Sequence, residues 1–170
     1  MDECGTHTSM TRLYARAPKG ERAYGKVPRN RGKNTTLLAS MSVRGMGPCL
    51  TVEGATTKAV FETYVEQVLV PSLRAGQVVI LDNLSSHKGD RVRKLIEGVG
   101  CSLLYLPPYS PDFSPIEEAF SKIKALLRKS AARVRGALVE AIGWAISRVT
   151  PEDAVGFFSH CGYLPTAQPS

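Results

Sequence analysis

The segment Val78-Val79-Ile80-Leu81 is the feature that most restricts how this chain can fold. It is a short, continuous apolar run rich in β-branched residues, which is typical of a strand buried on both faces of a sheet. Alternating strands and helices surround it, so the sequence predicts a mixed α/β sheet with helices on both faces. Asp82 follows this run directly and therefore lies at the carboxyl end of a strand, where functional groups gather in such sheets.

The rest of the chain supplies the elements that such a fold needs. Residues 11–35 are rich in Gly, Pro, Asn, Arg and Lys and predict a long loop or irregular hairpin. We expect strands over 36–43, 49–52 and 102–106, and helices over 57–69, 88–98, 115–130 and 136–148. Gly45 to Pro48 read as a turn between the first two strands, and Ser85 and Ser86 as caps of the second helix.

Charge restricts the partners of the chain. It carries 22 Lys and Arg against 15 Asp and Glu, a net charge of +7. Clustered positive charge fits a polyanion such as DNA, although a solvated basic surface would show the same pattern. No apolar run approaches the roughly 20 residues needed to cross a bilayer, and the first residues do not resemble a signal peptide. We therefore expect no membrane contact and a cytoplasmic, nucleoid-associated protein.

Three acids stand out as candidate site residues, with unequal support. Asp82 follows a buried strand, although Asp is also common in turns. Glu117 lies three residues after Ser114, so it fits either a functional site or a capping box, and Glu118 competes with it. Asp2 has little local signal of its own. Carboxylates that converge can hold two divalent cations, which together clamp a phosphodiester.

Two motifs make the family recognisable. Residues 81–88, LDNLSSHK, resemble the DN-x-x-x-H segment of transposases of the IS630/Tc1/mariner superfamily. Residues 106–117, LPPYSPDFSPIE, closely match the LPPYSPDLNPIE signature of those enzymes, and 34 residues separate Asp82 from Glu117, as in the DD34E group. Residues 17–20 resemble the W-A-P-x-G loop, 160–163 the HCGY ending of the IS630 type, and Asp2-Glu3 the DE that carries the first acid.

The resemblance implies an RNase H-like fold and DDE chemistry. Asp2, Asp82 and Glu117 would be the catalytic and metal-binding residues, with two Mg²⁺ or Mn²⁺ ions, and His87 and Asn83 possible auxiliary residues. The partner would be double-stranded DNA: transposon terminal inverted repeats and a target, usually TA, bound by a homodimer. The alternative is an inactive remnant that binds DNA or a partner chain without catalysis. His87 fits a helper near the scissile phosphate or a packing role at a helix start.

The resemblance also implies the domain organisation. Residues 1–165 would form the catalytic domain and 166–170 a tail, with the helix-turn-helix region of the family absent. Only Met1 precedes Asp2, so we expect the first strand to be largely truncated and Asp2 to lie on a frayed terminus. Several basic residues are candidates for DNA contact: Arg12, Arg16, Lys19, Arg29, Arg31, Lys33, Lys88 and Lys122.

Overall fold

Five strands in two sheets are the framework of the computed structural model, which describes residues 1–29, 32–84, 87–108 and 110–163. In the first sheet, β1 (Asp2–Thr6), β2 (Thr35–Ser42) and β3 (Gly45–Glu53) pair antiparallel in that order. In the second, β4 (Val78–Leu81) and β5 (Ser102–Tyr105) pair parallel. The Met1 amine joins the two sheets by donating to the Ile80 carbonyl at 2.7 Å.

Helices cover both faces of these strands. α1 (Lys58–Tyr64) continues through a π-helical turn (Val65–Leu69) and a 3₁₀ turn (Val70–Ser72), and α2 (Asp90–Glu97) follows β4. A 3₁₀ turn (Pro111–Phe113) leads into α3 (Pro115–Ser130), and α4 (Arg135–Ile146) and α5 (Pro151–His160) complete the chain. This arrangement confirms the predicted α/β class of fold, with helices on both faces of the strands.

Two apolar cores lie on opposite sides of β2, because successive side chains of a strand point to opposite faces. Leu37 and Ala39 pack with Phe120 and Ile123 of α3 and with helix α4. Leu38 points the other way and packs with Phe61, Leu81 and Ile96. The strands are therefore held between an α3/α4 layer and an α1/α2 layer.

The first strand differs from the expectation. A regular strand begins at Asp2: Asp2 pairs with Ala39 and Thr6 with Thr35. Asp2 is 6% exposed, so it does not lie on a frayed end. The expectation of a loosely held Asp2 was wrong because it considered only the residues before the acid. The alternating inward residues Asp2, Cys4 and Thr6 hold the strand against its neighbour.

The prediction that β4 is buried on both faces was also wrong. Val79 and Leu81 are buried, whereas Val78 is 57% exposed. β4 pairs with β5 along one edge. Along its other edge, the Met1 amine donates a hydrogen bond to the Ile80 carbonyl. A groove of ≈ 640 Å³ lies there, lined by Met1, the end of β2 and residues 77–82.

Element boundaries differ where glycine or capping decided them. Residues 45–48 were expected to turn, but β3 begins at Gly45 and the turn is at 43–44. Gly47 permits this pairing, because a Cβ there would lie 2.4 Å from Ser40 Oγ. α2 begins at Asp90 with Gly89 as its N-cap, so the predicted start at 88 was wrong, and Ser85 and Ser86 lie outside the described residues.

Helix α5 was not predicted. Thr150 accepts from the Asp153 amide, and the Asp153 side chain accepts from the Thr150 amide, which together form a capping box. Pro151 occupies the first turn, where its missing N–H costs nothing. The sequence Thr-Pro-Glu-Asp contained this signal.

Candidate active site

The three predicted acids come from three different elements. Asp2 begins β1, Asp82 directly follows β4, and Glu117 lies in the first turn of α3. Two of the charges affect the third: burial first, and then the nearby carboxylates of Asp82 and Glu117, raise the pKa of Asp2 to about 6. The fold therefore places Asp82 and Glu117 close enough to Asp2 for their charges to affect its pKa.

Asp2 is the most buried of the three acids. Its Oδ1 accepts a hydrogen bond from the Glu3 amide at 2.6 Å, which favours the charged form, but burial outweighs it. The buried Met1 amine lies next to it, and burial lowers the pKa of that amine to about 6. A buried carboxylate beside two others stores unfavourable charge, which a divalent cation would relieve.

Asp82 is held by its own turn. Its Oδ1 accepts from the Leu84 amide at 3.4 Å and is hydrogen-bonded to Nδ1 of His87. Asp82 also lines the groove beside β4, so its carboxylate lies at the border between the packed core and open space.

Glu117 does not form the capping box that its spacing from Ser114 suggested. Ser114 is the N-cap of α3, but its side chain makes no capping hydrogen bond. The Glu117 amide instead bonds to the Ser114 carbonyl at 3.0 Å. The capping-box prediction was therefore wrong, and the exposed Glu117 carboxylate keeps the site interpretation.

Glu118 turns away from Asp2 and is hydrogen-bonded to His160 at the end of α5. The Glu118 carboxylate, together with Asp112, raises the pKa of His160. Glu117, in contrast, contributes to the raised pKa of Asp2. The two neighbouring glutamates thus face different surroundings, which makes Glu118 a natural control residue.

The donor set has the composition that Mg²⁺ or Mn²⁺ prefers, namely carboxylate oxygens. Among the described residues, however, no three His, Cys, Asp or Glu side chains stand at metal-ligand spacing. The charges of Asp82 and Glu117 affect the pKa of Asp2, but the three carboxylates do not lie close enough together to hold one metal ion between them.

The two auxiliary candidates have different surroundings. His87 is fully buried and stacks on Phe61, with ring centroids 4.0 Å apart, so its side chain is not accessible to DNA in this structure. Asn83 is half-buried directly after Asp82. Sequence reasoning missed Glu3, whose Oε2 lies 3.8 Å from His87 Nε2. Its position directly after the acid of a strand was the available signal.

The basic candidates divide into two groups. Arg12, Arg16, Lys19, Arg29 and Lys88 are exposed. Lys33 pairs with Glu53 at 2.8 Å, and Lys122 pairs with Asp153 on α5. Arg31 lies outside the described residues. The exposed set is mostly on residues 11–29, where the structure assigns no helix or strand.

Comparison with known proteins identifies the class. The family of the DDE superfamily endonucleases matches residues 1–138, and this chain belongs to it. The resemblance to DDE transposases inferred from the motifs is confirmed at this level. No curated protein matches.

Solved structures show the same fold. The Mos1 transposase paired-end complex with left transposon end has a TM-score of 0.76 and 19% identity, covering 96% of this chain and 51% of that one. The Mos1 paired-end complex with Mn has a TM-score of 0.69 at 18% identity, with coverage of 96% and 51%. The Mos1 catalytic domain with Raltegravir and Mg has a TM-score of 0.58 at 19% identity, with coverage of 79% and 71%.

The chain spans about half the length of the paired-end transposase chains that it resembles. No helix among the described residues is both long and apolar enough to cross a membrane.

Proposed function

We propose that this chain is the catalytic domain of a DDE transposase, with Asp2, Asp82 and Glu117 as its catalytic, metal-binding carboxylates. The observation that carries the proposal is that Asp82 and Glu117 lie near enough to Asp2 for both carboxylates to contribute, after burial, to its raised pKa. They stand at the start of β1, the end of β4 and the start of α3, in a chain of the DDE endonuclease family.

The reaction proposed is phosphodiester cleavage followed by strand transfer. Water attacks the phosphorus at a transposon end, the P–O3′ bond breaks, and a 3′-hydroxyl and a 5′-phosphate result. That 3′-hydroxyl then attacks a target phosphodiester, forming a new P–O bond and releasing a target 3′-hydroxyl. When bound, two Mg²⁺ or Mn²⁺ ions would polarise the phosphate and activate the attacking oxygen.

The side chains of this protein would orient and bind. Asp2 and Asp82 come from adjacent strand ends of a packed core, so they provide fixed ligands, and Glu117 approaches from a helix terminus. The exposed basic residues of 11–29 would contact phosphates of double-stranded DNA, with terminal inverted repeats and a TA target proposed from the family resemblance. A homodimer, residues 1–165 as the catalytic unit and the IS630 type are proposed on the same ground, and Asn83 as an auxiliary residue.

A supercoiled plasmid assay with Mn²⁺ tests the proposal on the full chain. Asp82→Asn and Glu117→Gln should each lower the nicking rate by about a hundredfold or more, the size of a lost preorganised electrostatic contact. Glu118→Gln is the matched control, and it should nick at the wild-type rate because Glu118 faces His160. Full activity in either site variant would remove that residue from the proposed site.

A second candidate is a non-catalytic module that binds DNA or a partner chain. The observation in its favour is that the three carboxylates do not stand at metal-ligand spacing. Plasmid binding without any Mn²⁺-dependent nicking by the wild-type chain would support this module over the enzyme.

A further inference from the structure

The imidazole of His87 lies between two carboxylates inside the protein. Its Nδ1 is hydrogen-bonded to Oδ1 of Asp82, and its Nε2 faces Oε2 of Glu3 at 3.8 Å. The side chain is fully buried. Two segments of the chain thus form one polar row: Glu3 lies on β1, and Asp82 and His87 lie in the connection between β4 and α2.

Two atoms of this row lack a hydrogen-bond partner, and they face each other. Among the described residues, Glu3 Oε2 and His87 Nε2 are both buried and unpartnered. Buried polar groups in folded proteins are nearly always satisfied, because an unpaired group loses its bonds to water without replacement. A shift of about 1 Å would bring the two atoms into hydrogen-bond range. One hydrogen bond between Glu3 Oε2 and His87 Nε2 would then satisfy both atoms.

The rest of the surroundings fixes the ring. The His87 amide donates to the Leu84 carbonyl at 3.1 Å, and the Tyr105 hydroxyl donates to the His87 carbonyl at 3.2 Å. Phe61 stacks against the imidazole with an angle of 18° between the planes. Neither the backbone nor the ring can turn without breaking several contacts, so the ring direction is set by its neighbours.

A packing role alone does not account for this arrangement. An apolar ring would stack on Phe61 equally well and would leave no unpaired nitrogen. The polar row also ends on Asp82 Oδ1, the oxygen that already accepts from the Leu84 amide. Both contacts engage the same oxygen, so they set the direction of the whole carboxylate.

We propose that Glu3 and His87 are positioning residues that orient Asp82, so that its Oδ2 is the oxygen offered to a divalent cation. This inference rests on the proposed function, in which Asp82 is a metal ligand. Outer partners of this kind fix ligand direction in metal sites, and their loss typically weakens metal affinity ten- to a hundredfold.

The test measures Mn²⁺ affinity of the full chain by electron paramagnetic resonance, together with the thermal unfolding midpoint without metal. His87→Phe keeps the stack on Phe61 but removes both nitrogens, and we expect about tenfold weaker Mn²⁺ binding. His87→Asn keeps a donor near the Nδ1 position and should recover most of the affinity. Thr150→Ala is the control for lost stability: it removes the capping bond of α5 and should lower the unfolding midpoint while leaving Mn²⁺ affinity near that of wild type.

The outcomes separate this inference from the function on which it rests. Wild-type affinity in His87→Phe, with weakened binding in Asp82→Asn, would overturn the positioning role and leave the metal site standing. Absence of Mn²⁺ binding in the wild-type chain, or full binding in Asp82→Asn, would overturn both. If His87→Phe does not fold, Glu3→Leu decides: several-fold weaker binding supports the row, and unchanged binding refutes it.

Discussion

Metal binding to this site should be coupled to proton release from Asp2. The perturbation is pH, varied between about 5 and about 7, where an ordinary aspartate would be ionised throughout. In this fold, burial and the neighbouring Asp82 and Glu117 carboxylates raise the pKa of Asp2 to about 6. A divalent cation binds only the ionised form, so it must displace the proton when one is present.

The magnitude follows from that pKa. With a value of about 6, roughly a tenth of Asp2 is ionised at about pH 5 and roughly nine tenths at about pH 7. The apparent Mn²⁺ affinity should therefore fall about tenfold from about pH 7 to about pH 5. An unshifted carboxyl with a pKa of 3.8 would change the affinity by less than about 10% over the same range.

Isothermal titration calorimetry in two buffers of different ionisation enthalpy measures both quantities. Close to one proton should be released per bound site at about pH 5, and roughly a tenth of a proton at about pH 7. Asp2→Asn should bind more weakly, with no proton release in this range. An acetylated N-terminus controls for the Met1 amine, whose pKa is lowered to about 6 by burial. A wild-type affinity constant within twofold across the range, or the same proton release in Asp2→Asn, would refute the reasoning.

Three further predictions concern stability and DNA. In the metal-free chain, the free energy of unfolding should fall by about 2 kcal/mol from about pH 4 to 6, because the folded state holds the Asp2 proton more tightly than the unfolded state. It should rise by a similar amount toward pH 8, because folding disfavours the charged Met1 amine. Urea titrations of the chain with and without N-terminal acetylation should differ only in the rise toward pH 8. Thr150→Ala should cost about 1 kcal/mol in the same assay by removing the capping bond of α5, and an unchanged midpoint would contradict the capping role. Joint alanine replacement of the exposed loop residues Arg12, Arg16, Lys19 and Arg29 should weaken the salt dependence of DNA binding, measured by fluorescence anisotropy. The slope of log K against log salt concentration should fall by up to about one unit per lost phosphate contact. Lys33→Ala should leave that slope near wild type, because Lys33 pairs with Glu53.

The sequence predicted the secondary structure correctly where the local pattern and the tertiary packing favour the same element. The run at 78–81 forms β4 with the predicted limits, and the apolar spacing after Ser114 forms α3. It did not carry β1, because the residues Asp-Glu-Cys-Gly-Thr have neither strong strand propensity nor an apolar run. Pairing with β2 and burial of Cys4 create that strand, and both are long-range effects.

The site was predictable only in part for a similar reason. Asp82 and Glu117 lie in motifs with distinct spacing, so sequence alone could select them. The row from Glu3 through His87 to Asp82 brings Glu3 next to His87, 84 positions further along the chain, and only tertiary structure connects these two residues. The failure of the Ser114–Glu117 capping box shows the converse, since a matching local pattern did not form the expected bond.

The single hydrogen bond between the Met1 amine and Ile80 has a mechanical consequence. Asp2 belongs to a three-stranded sheet and Asp82 follows a strand of a two-stranded sheet, and this bond is the junction next to both acids. The positions of the two carboxylates therefore depend on this bond and on side-chain packing such as Leu38 against Leu81, not on a continuous ladder of backbone hydrogen bonds between the two sheets. A substitution in that packing would therefore change the spacing of the proposed site without altering any of its carboxylates.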